Sequence, residues 1–174
     1  MSPKKDLLVI TASNGKNLTL AKKFLDSAQK IKASAELLDL TCVDLPLFNP
    51  RKNHKEKVAH ILQSLTSQMK SIPRWIICAP EYNGSIPPVL TNTIAWLSIQ
   101  DDDFRQLFNG RPIAMASFSG GGCMELLLSM RIQLTHLGAQ VVGRQLSSNN
   151  NKPANNESID DLIMRLMQMQ PLNL

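Results

Sequence analysis

Three short stretches of this chain combine glycine with small polar residues, a mixture suited to gripping a ligand through the main chain. The first is Thr11-Ala12-Ser13-Asn14-Gly15-Lys16-Asn17. A glycine that lets the backbone turn, hydroxyl and amide side chains, and one lysine, all placed where a helix begins, suit a phosphate monoester. Simple capping of that helix by Ser13 or Asn14 would use the same residue types. Gly15-Lys16 does not complete a nucleoside-triphosphate loop, because Asn17 stands where Ser or Thr would hold magnesium and Ile10 where the first glycine belongs.

The second stretch is Pro80-Glu81-Tyr82-Asn83-Gly84-Ser85-Ile86-Pro87-Pro88. Asn-Gly admits positive φ angles and the flanking prolines stiffen the loop, so its remaining N–H groups can face the acceptors of a planar heterocycle. The third is Ser117-Phe118-Ser119-Gly120-Gly121-Gly122, whose glycines allow the backbone to approach a flat ligand closely. It is not a dinucleotide fingerprint, since Glu125 replaces the last glycine.

Side chains able to do chemistry directly are scattered. Glu81 and Tyr82 are of acid/base type but have no partner at useful spacing. His54, His60 and His136 fall on mostly polar helical faces. Asp101-Asp102-Asp103 point in different directions, and Cys42, Cys78 and Cys123 lack the pairing of a disulfide framework or zinc site. We therefore assign no catalytic side chain and no metal.

The elements that must carry these loops are legible from hydrophobic periodicity. Leu7–Thr11, Trp75–Ala79 and Ile113–Phe118 are unbroken apolar runs, as expected of strands buried on both faces; Ala35–Leu40 and Ala139–Val142 are weaker examples. Helical spacing intervenes at Ala21, Phe24, Leu25 and Ala28, at Val58, Ile61, Leu62, Leu65 and Met69, and over Val89–Ser98. It recurs at Leu127, Met130, Leu134 and Leu137, and at Ile159, Leu162, Ile163 and Leu166. Cys42–Asn53 and Ser147–Glu157 read as loops. Alternation of this kind in 174 residues predicts one α/β domain, residues 1–174, with a doubly wound parallel sheet. The three loops follow three strands and so gather at the carboxyl edge, where such sheets bind ligands.

Composition narrows the function classes. Nineteen Lys plus Arg against fourteen Asp plus Glu give a net charge of +5, but the cations form scattered pairs and aromatic residues are 5% of the chain, so a nucleic-acid role is not expected. No run approaches the roughly 20 apolar residues of a membrane span, and the first apolar run is too short for a signal peptide. Together with the unpaired cysteines this predicts a cytoplasmic protein with no membrane partner.

The segment PEYNGSIPPVLTNTIAWLS, Pro80–Ser98, resembles the signature of the NADPH-dependent FMN reductase family, with Asn92, Ile94 and Trp96 fitting and Thr91 and Ala95 departing. A looser similarity covers most of residues 7–145. The resemblance implies a flavodoxin-like three-layer sandwich with a five-stranded parallel sheet in the order 2-1-3-4-5. It implies FMN as cofactor, with NADPH or NADH as co-substrate and hydride passing through flavin N5. It puts Ser13, Asn14, Lys16 and Asn17, with Thr11 at the loop's start, around the FMN phosphate. Pro80, Glu81, Tyr82, Asn83 and Gly84 would lie along the isoalloxazine, with Ser117, Gly120, Gly121 and Gly122 completing the cradle. The first loop lacks the family's arginine; Lys16 would be a point charge in place of a fork. Acceptors in related proteins include flavins, quinones, azo dyes and chromate. The resemblance also implies a homodimer or homotetramer with Trp96 and Leu97 near the subunit contact, a buried core within one chain being the competing explanation for both. Two other readings of the same fold are a flavodoxin-type electron carrier, against which a pI of about 9.3 argues, and a flavin-free interaction or regulatory domain.

Overall fold

A computed structural model describes residues 5–52, 55–100 and 103–173. Elements alternate along the chain as β1 (Leu7–Thr11), α1 (Lys16–Lys30), β2 (Ala35–Asp39), a 3-10 turn (Leu40–Cys42) and α2 (Lys55–Ser71). There follow β3 (Arg74–Cys78), α3 (Pro88–Leu97), β4 (Pro112–Phe118), α4 (Met124–His136), β5 (Gln140–Val141), β6 (Leu146–Ser148) and α5 (Asn156–Gln168). All strand pairings are parallel, in the order β2-β1-β3-β4-β5, with β6 also on β4. The order reverses between β1 and β3, and the expected three-layer sandwich is present.

Period-two alternation divides each strand between two cores. Leu8, Ile10, Trp75, Ile77, Ile113 and Met115 face α2, α3 and α4, whereas Leu7, Val9, Ile76, Cys78, Ala114 and Ala116 face α1 and α5. The helical residues inferred from spacing are the buried ones, except that Ile61 and Leu25 are half-buried.

The fifth strand corrects the sequence reading. It is two short pieces on one neighbour: β5 pairs with the start of β4 (Ile113 with Val141) and β6 with its end (Phe118 with Ser148). Residues 143–145 bulge out between them, held by Arg131, which donates to the Val142 carbonyl at 2.9 Å and to Gln145 Oε1 at 3.1 Å. Leu146–Ser148 therefore runs into what reads as a loop from Ser147, because Gly143-Arg144 interrupts the apolar run and the second piece is polar.

The amino edge of the sheet is closed by the chain itself. Arg74 donates to the Met169 carbonyl and to Gln170, and Arg111 lies 4.4 Å from the centre of the Trp75 ring while bonding the carbonyls of Leu107 and Ile72. Burial pulls the Arg111 pKa down to about 10, so it stays cationic at neutral pH.

On the α1–α5 side, Asp160 accepts from Ser27 Oγ and Lys30 Nζ, and Asp161 joins Arg144 (2.6 Å) to Arg165 (2.8 Å). The Ser27 hydrogen bond holds Asp160 below the usual carboxylate range, and the Arg165 hydrogen bond does the same for Asp161. A carboxyl whose folded pKa is depressed contributes stability that is complete above its unfolded value, about 3.9 for Asp, and is lost as pH falls through the folded value. Melting temperature should therefore hold from neutrality to about pH 4 and then fall. Asp160→Asn should melt with a shallower acid slope than the parent; identical slopes would exclude the carboxyl from this role.

Candidate functional site at the carboxyl edge

At the opposite edge the ends of β1, β3 and β4 come together, and short hydrogen bonds lock their loops. Ala12 N donates to Cys78 O (3.0 Å), and Ala79 N donates to Ala116 O (3.1 Å). Ser117, fully buried, spends its hydroxyl on Ala79 O at 2.7 Å, and its own carbonyl accepts from Ser148 Oγ at 2.8 Å. Asn17 is buried too. Its amide donates to Phe118 O and accepts from Phe118 N, both at 2.8 Å, pinning the first loop to the third. These side chains shape the edge; what they leave for a ligand is main chain.

In the first loop, Thr11 Oγ1 donates to Ser13 O at 2.9 Å, and Ser13 Oγ accepts from Gly15 N at 3.1 Å. Ser13 therefore caps within the loop, not the helix: no side chain caps α1 at Gly15, which leaves the first-turn N–H groups as an anion site. Asn14 and Lys16 are exposed, with Lys16 Nζ 6.0 Å from the centre of the Phe118 ring.

The second loop closes as a two-residue hairpin turn. Tyr82 and Ser85 exchange backbone hydrogen bonds of 3.2 and 3.0 Å, and Asn83 and Gly84 have φ of 51° and 65°, as a type I′ turn demands. Glu81 Oε2 accepts from Leu126 N at 3.2 Å, supplying the α4 N-terminus with the cap that Cys123 does not. Glu81 is thus an anchor between the second and third loops. Tyr82 is half-exposed at the rim.

The third loop carries the deciding feature. A Cβ added to Gly120 or Gly121 meets nothing within 4 Å, and neither residue has positive φ. Neither packing within the chain nor backbone torsion requires glycine at either position, and the space above the loop is open. The carbonyls of Gly121 and Gly122 are drawn away by Asn149 Nδ2 (3.2 Å) and Ser147 Oγ (2.7 Å). The next residue, Cys123, is buried in the left-handed region at φ 61°.

Ser147, Ser148 and Asn149 were not found from sequence, because a Ser/Asn run carries no spacing that distinguishes a brace from a loop. For Trp96 and Leu97 the structure supports the competing reading, a buried core. Both are buried within their own subunit, Trp96 donating from Nε1 to Pro46 O at 2.7 Å and packing edge-on against Phe48. His60 and His136 are exposed helix residues and Asp103 is exposed; His54, Asp101 and Asp102 lie outside the described residues.

The sequence model of the NADPH-dependent FMN reductase family matches residues 6–153. The chain belongs to this family. An NADPH azoreductase of Bacillus sp. (strain OY1-2) is 26% identical over 76% of this chain and 68% of its own length. A quinone reductase of Escherichia coli (strain K12) is 30% identical over 64% of this chain, which spans only 60% of that enzyme. Among solved structures, FerB from Paracoccus denitrificans, described as a flavoenzyme NAD(P)H:(acceptor) oxidoreductase, superposes with a TM-score of 0.76 at 18% identity. That superposition covers 95% of this chain and 96% of FerB, and shows a shared flavodoxin-like fold. As a member of the family the chain is an NAD(P)H-dependent flavin oxidoreductase that uses FMN.

The edge fits that cofactor. An uncapped helix N-terminus suits the phosphate, and the open glycine run is a cradle that side chains would fill.

Proposed function

We propose that this FMN reductase family member holds FMN across the three loops and passes electrons from NADPH or NADH to a small quinone or azo acceptor. The open space over Gly120 and Gly121 carries the reading. FMN, when bound, supplies the hydride acceptance and delivery that no side chain of this edge provides.

In this reading the N–H groups at the start of α1, with Ser13, Asn14 and Lys16, take the phosphate. Thr11 and Asn17 act by fixing the loop, since their side chains are already engaged. Pro80, Glu81, Tyr82, Asn83 and Gly84 border the ring on one side, with Tyr82 free at the rim. Gly120, Gly121 and Gly122 lie under it, and Ser117 holds their strand end in place. The anchor bonds of Glu81 and Asn17 keep the edge rigid, so the site is organised before the ligand arrives.

Lys16→Ala tests the phosphate end. It should weaken FMN about tenfold, the worth of one exposed charge-assisted contact, while leaving riboflavin, which lacks the phosphate, unchanged. Equal losses for both ligands in calorimetric titration would remove Lys16 from the phosphate site.

The protein is further proposed to act as a homodimer or homotetramer in the cytoplasm. No helix among the described residues is long and apolar enough to cross a membrane, and all three cysteines are free thiols, which suits a reducing compartment.

A further inference from the structure

Beside the first loop, a cleft of about 240 Å³ opens along the flank of α1. One wall is the helix face that carries Lys16, Thr19, Leu20 and Lys23, residues at i, i+3, i+4 and i+7 that helical geometry sets in a row. The other wall is the connection from β6 to α5, with Asn150 and Pro153, and Phe118 at the end of β4 closes the space between them. That connection is held in place: Asn149 Oδ1 accepts from the N–H groups of Asn151 (2.9 Å) and Lys152 (2.7 Å), and Asn149 Nδ2 donates to Gly121 O at 3.2 Å.

The chemistry of the lining selects the occupant. Lys16 and Lys23 are the charged residues that border the cleft; both are exposed, and among the described residues no carboxylate pairs with either. Two cations with no counter-charge call for an anion, and phosphate is a common partner for lysine. Leu20, Phe118 and Pro153 make part of the lining apolar, as a flat ring requires. Asn150 is exposed, and its side chain makes no hydrogen bond among the described residues. Its amide offers a donor and an acceptor side by side, the pair that reads an adenine edge.

We propose that this cleft is a subsite for an adenosine phosphate, with Lys16 and Lys23 on the phosphate and Asn150 on the base. It rests on the FMN reading above for its neighbour. Lys16 opens the cleft and also flanks the N–H groups given to the FMN phosphate, so a group joined to that phosphate enters the cleft directly. Two kinds of molecule carry such a half: a flavin adenine dinucleotide, whose second phosphate and adenosine follow the first phosphate, and the nicotinamide coenzyme. In both cases the cleft adds affinity away from the reacting ring, and Lys23 governs which dinucleotide the chain takes without touching the flavin.

Calorimetric titration of the full chain with AMP, with FMN bound and without it, reads the cleft. AMP should bind both forms, Lys23→Glu should weaken it at least about tenfold, and Lys23→Arg should keep it, while FMN affinity stays the same in all three proteins. Inorganic phosphate should bind at least about tenfold more weakly than AMP, because it leaves Asn150 and the apolar lining unused. Two measurements on the same variants separate the sources. An FAD-to-FMN affinity ratio that falls with Lys23→Glu assigns the cleft to the flavin dinucleotide; a KM for NADPH that rises at unchanged kcat assigns it to the coenzyme. No heat with AMP, AMP binding indifferent to Lys23→Glu, or neither dinucleotide affected overturns the subsite. A chain that binds AMP in a Lys23-dependent way but takes no FMN overturns the flavin reading and leaves the subsite standing.

Discussion

Replacing Gly121 by valine should abolish FMN binding and leave the melting temperature where it was. A Cβ at this position enters open space and the backbone is outside the left-handed region, so the folded chain accepts the branched side chain without strain. The same side chain would occupy the volume over the glycine run that the flavin needs. We expect affinity to fall at least about a hundredfold, or about 2.7 kcal/mol, with Gly120→Val behaving alike. Gly84→Val is the less clean experiment. Gly84 sits at φ 65° in the hairpin turn, where a β-branched residue is strained whether or not a ligand is present. Flavin titration beside a thermal melt separates the cases: Gly121→Val with parental affinity would mean the ring lies elsewhere.

The second large effect is on stability alone. At Gly138 φ is 84°, and an added Cβ would lie 2.3 Å from Asn109 Oδ1 and 3.3 Å from the Asn109 Cα. The Gly138 carbonyl meanwhile accepts from Gly110 N at 2.9 Å, tying the end of α4 to the turn before β4. Gly138→Ala therefore combines left-handed strain with overpacking, for a loss of about 2–4 kcal/mol. In a domain of this size that lowers the melting temperature by roughly 5–15 °C. Asn109→Ala in the same chain should recover the steric part and not the torsional part. A Gly138→Ala protein that melts with the parent would show that the loop relaxes at no cost.

The three buried strands and all the amphipathic helices were readable because burial on two faces leaves an unbroken apolar run and burial on one leaves a 3.6-residue period. The broken fifth strand was not, since two- and three-residue pieces are too short to impose a pattern and one is Leu-Ser-Ser. That three glycine-bearing loops share the carboxyl edge was legible from sequence, but the division of labour within them was not. Asn17 and Ser117 look like ligand donors in sequence, yet they face the ends of other strands, a matter of which strands are neighbours. The same holds for Glu81, whose partner Leu126 is 45 residues away. For Trp96 sequence leaves interface and core both open, because a large aromatic residue in a helix fits either until Pro46 and Phe48 are seen to cover it.

The central claim, a flavin gripped mainly by main-chain groups at the carboxyl edge, is tested most directly by visible absorption during FMN titration, followed by NADPH under argon. The account predicts saturation at about one FMN per chain and bleaching of the bound flavin when NADPH is added. A protein that stays colourless, with no calorimetric heat on addition of FMN, would contradict it.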